Sequence, residues 1–265
     1  FAQAAKNDHY YDPASGTYKG GFVINAEGEK EAIKGRSSFI MKKKVKVYPD
    51  TLCWLKDLTY AYNEPFVREY FSHIGYDNYP VVGVNWHQAQ AFCNWRTQYF
   101  NSNAGVRVQA WRLPNEVEWE YAARGGLSGA KYPWGGPYTR NKKGCFLANF
   151  KPLRGNYISD GGFTTVPVGT YEPNGFGLYD MAGNVAEWTG DAFDESAYQV
   201  THDLSPYYQI TAKKSDNKIL KRKVIRGGSW KDIAYFMQCG VRTYEYADSA
   251  RSFIGFRTVR TRIEY

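Results

Sequence analysis

The apolar positions fall into a few short, differently spaced groups separated by long polar and glycine-rich stretches. Residues 81–84 form a brief apolar run that reads as a strand. Asn85 then stands as an N-cap before a helix reaching to about Phe100. Within it Trp86, Ala89, Phe92, Cys93 and Arg96 recur at three- and four-residue intervals, which predicts one inward face. A second helix is predicted over Glu116–Arg124, where Asn115 and Glu118 form a capping box, Gly125-Gly126 supply the stop, and Trp119 and Ala122 face the core. Elsewhere the pattern is weaker. Residues 45–54 are strand-like up to Pro49, and residues 57–76 read as loops with a short helix around 65–71. Residues 1–44 are polar and Gly-rich, an extended arm or insertion with a strand at 21–25, leaving 45–265 as the main domain.

Composition explains why so little is periodic. Of 265 residues, 26 are Gly and 46 are aromatic (15 Phe, 23 Tyr, 8 Trp), which favours short strands and ordered loops over a helix bundle. The apolar share, 43%, is ample for a packed core. There is no run of 18 apolar residues. The net charge of +8 is concentrated at 42–46, 213–223 and Arg257, Arg260 and Arg262. The Lys-rich runs lack interleaved aromatics, so a solvated face or a protein contact is expected rather than nucleic acid. Cys53, Cys93, Cys145 and Cys239 form no CxxC, and the four His residues have no HxxxH spacing. Zinc-ribbon, thioredoxin-like and histidine-metal chemistry are thereby disfavoured.

The densest chemical signal is the stretch GFGLYDMAGNVAEWTGD, residues 175–191. Gly183 and Asn184 adopt positive φ cheaply, which predicts a sharp turn over 182–185 with carbonyls pointing inward. Asp180 and Glu187, seven residues apart, bracket it. Carboxylates and carbonyls at one point are calcium chemistry. The competing reading is that Asp180 caps a turn and Glu187 pairs with an arginine.

The ordered strings PVVGVNW, FCNW, RLPNEVEWEYAARGG, YPWGG, NGFGLYDMAGNVAEW, RGGSW and IGFR resemble the formylglycine-generating-enzyme (sulfatase-modifying factor) superfamily over residues 79–260. The resemblance implies an irregular, loop-rich α+β fold related to C-type lectins, with short strands and two main helices. It also implies two structural calcium sites. One maps onto the Asp180 and Glu187 side chains with the Gly183 and Val185 carbonyls. The other maps onto the Asn149 and Asp160 side chains with carbonyls of Phe150 and of the 162–163 region, Phe163 included. Active members hold copper(I) through two thiolates spaced CxxxxC after RGGS(W/Y). Here those positions read Asp232 and Met237, and Cys239 lies two residues out of step. A hard carboxylate and a neutral thioether do not make a soft bis-thiolate site, so no copper and no oxidase reaction are expected.

Further strings, among them KVYPDTLCWLKDLTYAYNEP, THDLSPYY and KRKVIRGGSWKDIAYFMQCGVRTYEYADSARSFIGFR, resemble the GldK/PorK-type lipoproteins of gliding motility and type IX secretion. That resemblance implies a non-enzymatic subunit at the periplasmic face of the bacterial outer membrane. It would join a GldN/PorN-type partner, other copies of itself and outer-membrane proteins in a ring. The family's usual opening and its lipid-bearing cysteine are absent before Val45, so the chain is expected to be the C-terminal part of a longer lipoprotein, reaching the membrane only through that lipid. Tyr-rich segments at 60–79, 194–220 and 244–246 are candidate contact surfaces. Two rivals stand beside this reading: an oxygen-dependent enzyme with another thiol arrangement, and a calcium-dependent lectin-like module.

Overall fold

Asn115 leaves an extended segment (φ −72°, ψ 165°) and its side chain accepts the Glu118 N–H, while the Glu118 carboxylate accepts the Asn115 N–H at 2.9 Å. This reciprocal cap starts helix α4, Glu116–Arg124, and Gly125 ends it in the left-handed region. The same device opens the longer helix α3, Trp86–Asn103, where Asn85 and Gln88 exchange bonds of 2.9 and 2.8 Å. The computed structural model describes residues 10–12, 17–19, 22–24, 30–32, 45–59, 63–103, 108–153, 156, 158, 161–201, 206–213 and 215–261.

The chain divides into two units, Phe1–Lys46 and Val47–Tyr265. In the first, β1 (Tyr10–Asp12) pairs antiparallel with β2 (Thr17–Lys19), and β3 (Phe22–Ile24) with β4 (Lys30–Ala32). The expected strand at 21–25 is β3.

The second unit is built on a four-stranded mixed sheet in the order β7-β6-β5-β8. Its centre is β5, Ala186–Ala192, buried along its whole length. On one side lies antiparallel β6 (Arg222–Arg226), which in turn pairs with β7 (Thr243–Tyr246). On the other side β8 (Ile254–Gly255) runs parallel to β5. Period-two alternation sends Trp188 and Glu187 to opposite faces. Trp188 is fully buried with Ala186, Ile225 and Ile254 against Ala89 and Cys93 of α3. Its indole N–H donates to the Val84 carbonyl at 3.0 Å. Glu187 instead receives Trp119 of α4. A further aromatic cluster joins α1 (Cys53–Asp57) and α2 (Glu64–Glu69): Trp54 stacks on Phe66, with ring centroids 4.8 Å apart, and also contacts Tyr70 and Trp230. A one-turn helix, α5 (Ala197–Val200), completes the set. The fold is thus α+β and loop-rich, as expected.

Three local expectations change. Residues 81–84 are buried at Val82 and Val84 but join no ladder. The cause is Gly83, at φ 68°, whose carbonyl accepts the Asp50 N–H and whose N–H donates to the Arg251 carbonyl. Residues 45–49 form no strand, and Val47 and Tyr48 are exposed. Phe92, expected inward, lies on the exposed side of α3, whereas Ala89 and Cys93 are fully buried.

Candidate functional site

The turn after Asp180 is as tight as its residue types predict: φ is 55° at Asp180, 75° at Gly183 and 61° at Asn184. Gly183 is required for its size as well as its freedom, because a Cβ there would lie 2.4 Å from the Asn149 carbonyl oxygen. That carbonyl accepts the Asn184 N–H at 2.8 Å, so the two candidate ion-binding loops lie back to back.

In the first loop Asp180 lies close enough to Glu187 to feel its charge. Burial, with Glu187 adding to it, raises the Asp180 carboxyl above its ordinary range. Asp180 Oδ2 accepts the Gly169 N–H at 2.8 Å. Glu187 is buried and takes a two-pronged ion pair from Arg257 (Nε to Oε2, 2.5 Å; Nη2 to Oε1, 2.6 Å), and Trp119 Nε1 donates to Oε2 at 2.7 Å. Arg257 Nη2 also donates to the Tyr179 carbonyl at 3.1 Å. The capping and arginine-pairing reading of these two acids therefore describes their contacts. The loop already contains a resident cation, and any calcium ion there would share Glu187 with a guanidinium.

The second loop offers a more open donor set. Asn149 is buried, and its Nδ2 donates to the Thr164 carbonyl at 2.7 Å, which fixes the amide with Oδ1 turned toward Gly161. Phe150 is buried, and Phe163, whose role would be a backbone one, exposes its ring. Asp160 lies outside the described residues. Among the described residues no group of three or more His, Cys, Asp or Glu side chains is placed to hold a metal. The donor types of the described members, the Asn149 amide and the Phe150 and Phe163 carbonyls, are the hard oxygens that calcium takes.

The segment after Arg226 holds Asp232 and Met237, the two positions at which the family resemblance implies thiols in active members. Ser229 Oγ donates to Asp232 Oδ2 at 2.6 Å, and the Asp232 N–H donates to the Ser229 carbonyl, closing a turn. Burial raises the Asp232 carboxyl above its usual range. Met237 has no exposed surface and packs with Tyr132, Ala148, Phe150 and Ala182. The acid is committed to a turn and the thioether to the core. All four cysteines are free. Burial pushes the thiols of Cys93 and Cys239 up to about 11 and that of Cys53 to about 12, so at neutral pH they are thiols rather than thiolates.

Sequence reasoning missed Arg257 as the partner of Glu187, 70 residues away, and Trp119 as its second donor. Both lie in strings already singled out, IGFR and EVEWEYAARGG, but only the fold brings them together.

Residues 30–262 match the sulfatase-modifying factor enzyme 1-like domain. The formylglycine-generating enzyme of Streptomyces coelicolor is 35% identical over 189 residues, 69% of this chain and 53% of that protein. An inactive Cα-formylglycine-generating enzyme 2 of Bos taurus is equally similar, 35% over 185 residues, covering 68% and 49%. The chain thus spans about half the length of these curated relatives. Among solved structures, PvdO from Pseudomonas aeruginosa superposes with a TM-score of 0.54 at 27% identity, covering 69% of this chain and 62% of PvdO. Relatives named formylglycine-generating enzyme and relatives named inactive match at the same identity, so the level of similarity does not separate the two, and it is the family that the matches show: the chain belongs to the sulfatase-modifying factor enzyme 1-like, or formylglycine-generating-enzyme, family.

Proposed function

We propose that this chain is a catalytically inactive family member whose role is architectural. The observation that carries the reading is the pair Asp232 and Met237. Copper(I) selects soft thiolates, and this pair supplies one hard oxygen, already bonded to Ser229, and one buried thioether. Cys239 does not compensate, since its burial favours the protonated thiol. The inactive relatives in cattle and mouse make loss of the reaction a familiar outcome in this family.

The architectural role we assign is that of a GldK/PorK-type subunit in a ring at the periplasmic face of the outer membrane. It would assemble with a GldN/PorN-type partner and with copies of itself, serving type IX secretion and gliding. Support comes from the resemblance of the chain's long sequence strings to that branch. No helix among the described residues is long and apolar enough to cross a membrane, so attachment in this reading falls to an upstream lipid. Calcium in the loop of Asn149 and Phe150, with Asp160 and Phe163 completing it, would pin the segments that frame this surface. Calcium at Asp180, Gly183, Val185 and Glu187 would act alongside Arg257. Each loop has a buried donor side chain, Glu187 in the first and Asn149 in the second, which favours structural ions over glycan binding.

Two measurements test this. Copper(I) titration, followed by oxygen consumption with a cysteine-containing peptide, is expected to give neither tight binding nor turnover; turnover would overturn the reading. Purification of the full-length protein from membranes, with imaging, is expected to give a ring that contains a second protein; a soluble monomer would remove the assembly role.

A further inference from the structure

Helix α3 turns an aromatic ridge to solvent. Ala89 and Cys93 are fully buried, but Phe92, Trp95, Tyr99 and Phe100 are 39%, 54%, 58% and 39% exposed. The rings form a connected row: Phe256 to Phe92 at 5.4 Å, Phe92 to Trp95 at 5.5 Å, and Trp95 to Tyr99 at 5.2 Å with planes only 23° apart. The outer face of a surface helix ordinarily carries charge. This 18-residue helix has no Asp or Glu, and its one charged side chain is Arg96. The neighbouring segment 256–261 likewise has no carboxylate. Arg257 is spent on Glu187, and Arg96 bonds Thr258 Oγ1 at 2.7 Å over the Trp111 ring. Arg260 lies 5.9 Å from the Phe100 ring centroid and has no ion-pair partner among the described residues.

Contiguous exposed aromatics of this extent mark binding surfaces, and Trp, Tyr and Arg are the residue types that dominate interface hot spots. Among the described residues, the edge of the ridge carries the positive charge of Arg260 with no negative charge paired to it. We infer that the α3 ridge docks a segment of a different protein subunit, one that presents an apolar anchor to Trp95 and Tyr99 and a carboxylate to Arg260. With Arg257 and Arg96 engaged, one arginine is too few for an anionic bilayer, which recruits clusters of four or more basic residues. A second copy of this chain would bring its own excess of positive charge to a surface that already has it. The inference rests on the architectural reading and adds the surface and the partner's chemistry.

The test uses the full-length protein in its own cells, with p-benzoyl-phenylalanine in place of Tyr99, irradiated before purification. The expected result is an adduct to another protein, at a segment in which Asp or Glu adjoins Leu, Phe or Trp. The adduct should fall at least about tenfold with Arg260→Glu and survive Arg260→Lys, with the melting temperature unchanged in both. Adducts only to lipid, to residues of the same chain before Val47, or to a second copy would overturn the inference, as would a yield indifferent to Arg260→Glu. A ring that assembles with the ridge free would sink the docking surface and leave the architectural role standing. A monomer that still gives the acidic adduct would do the reverse.

Discussion

Asn184 holds both backbone polar groups of Val166: its Oδ1 accepts the Val166 N–H at 3.1 Å and its Nδ2 donates to the Val166 carbonyl at 3.1 Å. A single side chain thus stands in for a neighbouring strand. The backbone of Asn184 is engaged as well, its N–H donating to the Asn149 carbonyl at 2.8 Å and its carbonyl accepting the Trp230 N–H at 2.9 Å. Three loops distant in sequence converge on one fully buried residue. Asn184→Leu would leave two Val166 groups unpaired, at about 1–3 kcal/mol each, and force a branched residue into the left-handed region for about 1–2 more. Asn184→Gly would lose the bonds but not the backbone conformation. Denaturant melts are expected to rank wild type above Asn184→Gly, and that above Asn184→Leu by at least about 1 kcal/mol.

Gly183 and Gly177 form a matched pair for separating conformation from space. Both have positive φ, 75° and 74°, yet a Cβ at 177 meets nothing within 4 Å, whereas at 183 it meets the Asn149 oxygen. Gly177→Ala is expected to cost about 1–2 kcal/mol for its φ alone. Gly183→Ala must also push apart the two loops, so its cost should be larger, about 3 kcal/mol or more. Equal losses in the two variants would mean that the contact with Asn149 relaxes freely.

These two predictions rest on features legible in the sequence, and the reason is physical. A Gly-Asn turn and an Asn-x-x-Glu cap express preferences of the residues themselves, so they survive whatever tertiary surroundings they meet. The inward face of α3 was only half legible, because three- and four-residue spacing fixes the angle of Phe92 on the helix but not where the sheet beneath it stops. The run at 81–84 misleads because its two buried valines flank a glycine held at positive φ. The Glu187–Arg257 pair was beyond reach, since 34 Lys and Arg residues offer no way to choose among partners without the fold. Asp232 and Met237 lay between: the sequence places them, while the structure adds that one closes a turn and the other fills the core.

Glu187 and Arg257 set up a test of how charge is balanced in the first loop. Glu187→Gln would leave the partly exposed Arg257 guanidinium facing an amide, and because loss of one partner of a fully buried pair costs about 3–5 kcal/mol, a smaller loss is expected here. Arg257→Met instead leaves two carboxylates, Asp180 and Glu187, with no resident cation. Calcium bound at 100 times its dissociation constant stabilises a site by about 2.7 kcal/mol. Chelation is therefore expected to lower the melting temperature of Arg257→Met more than that of wild type, because wild type keeps its guanidinium. If chelation affects both alike, calcium and Arg257 do not share Glu187.

Lys223 gives stability a pH dependence of definite sign. Its side chain is buried, with Nζ 4.2 Å from the Trp86 ring centroid. Burial, offset in part by the charge of Asp191, depresses its pKa from 10.5 to about 8. The unfolded chain therefore binds more protons than the native one between about pH 8 and 10.5, and stability contributed at this site rises with pH across that window. Asp191, raised by burial to about 6, acts with the opposite sign at lower pH: the native state holds its proton longer, so stability falls between about pH 4 and 6. Between these windows both groups are charged, and the pair contributes least. The three buried cysteines oppose the lysine above about pH 9, but they do so equally in a variant that lacks it. The wild-type stability minus that of Lys223→Met is accordingly expected to increase by about 2–3 kcal/mol from pH 7.5 to 10.5, measured by urea unfolding. A flat difference would mean that Lys223 reaches solvent and titrates normally.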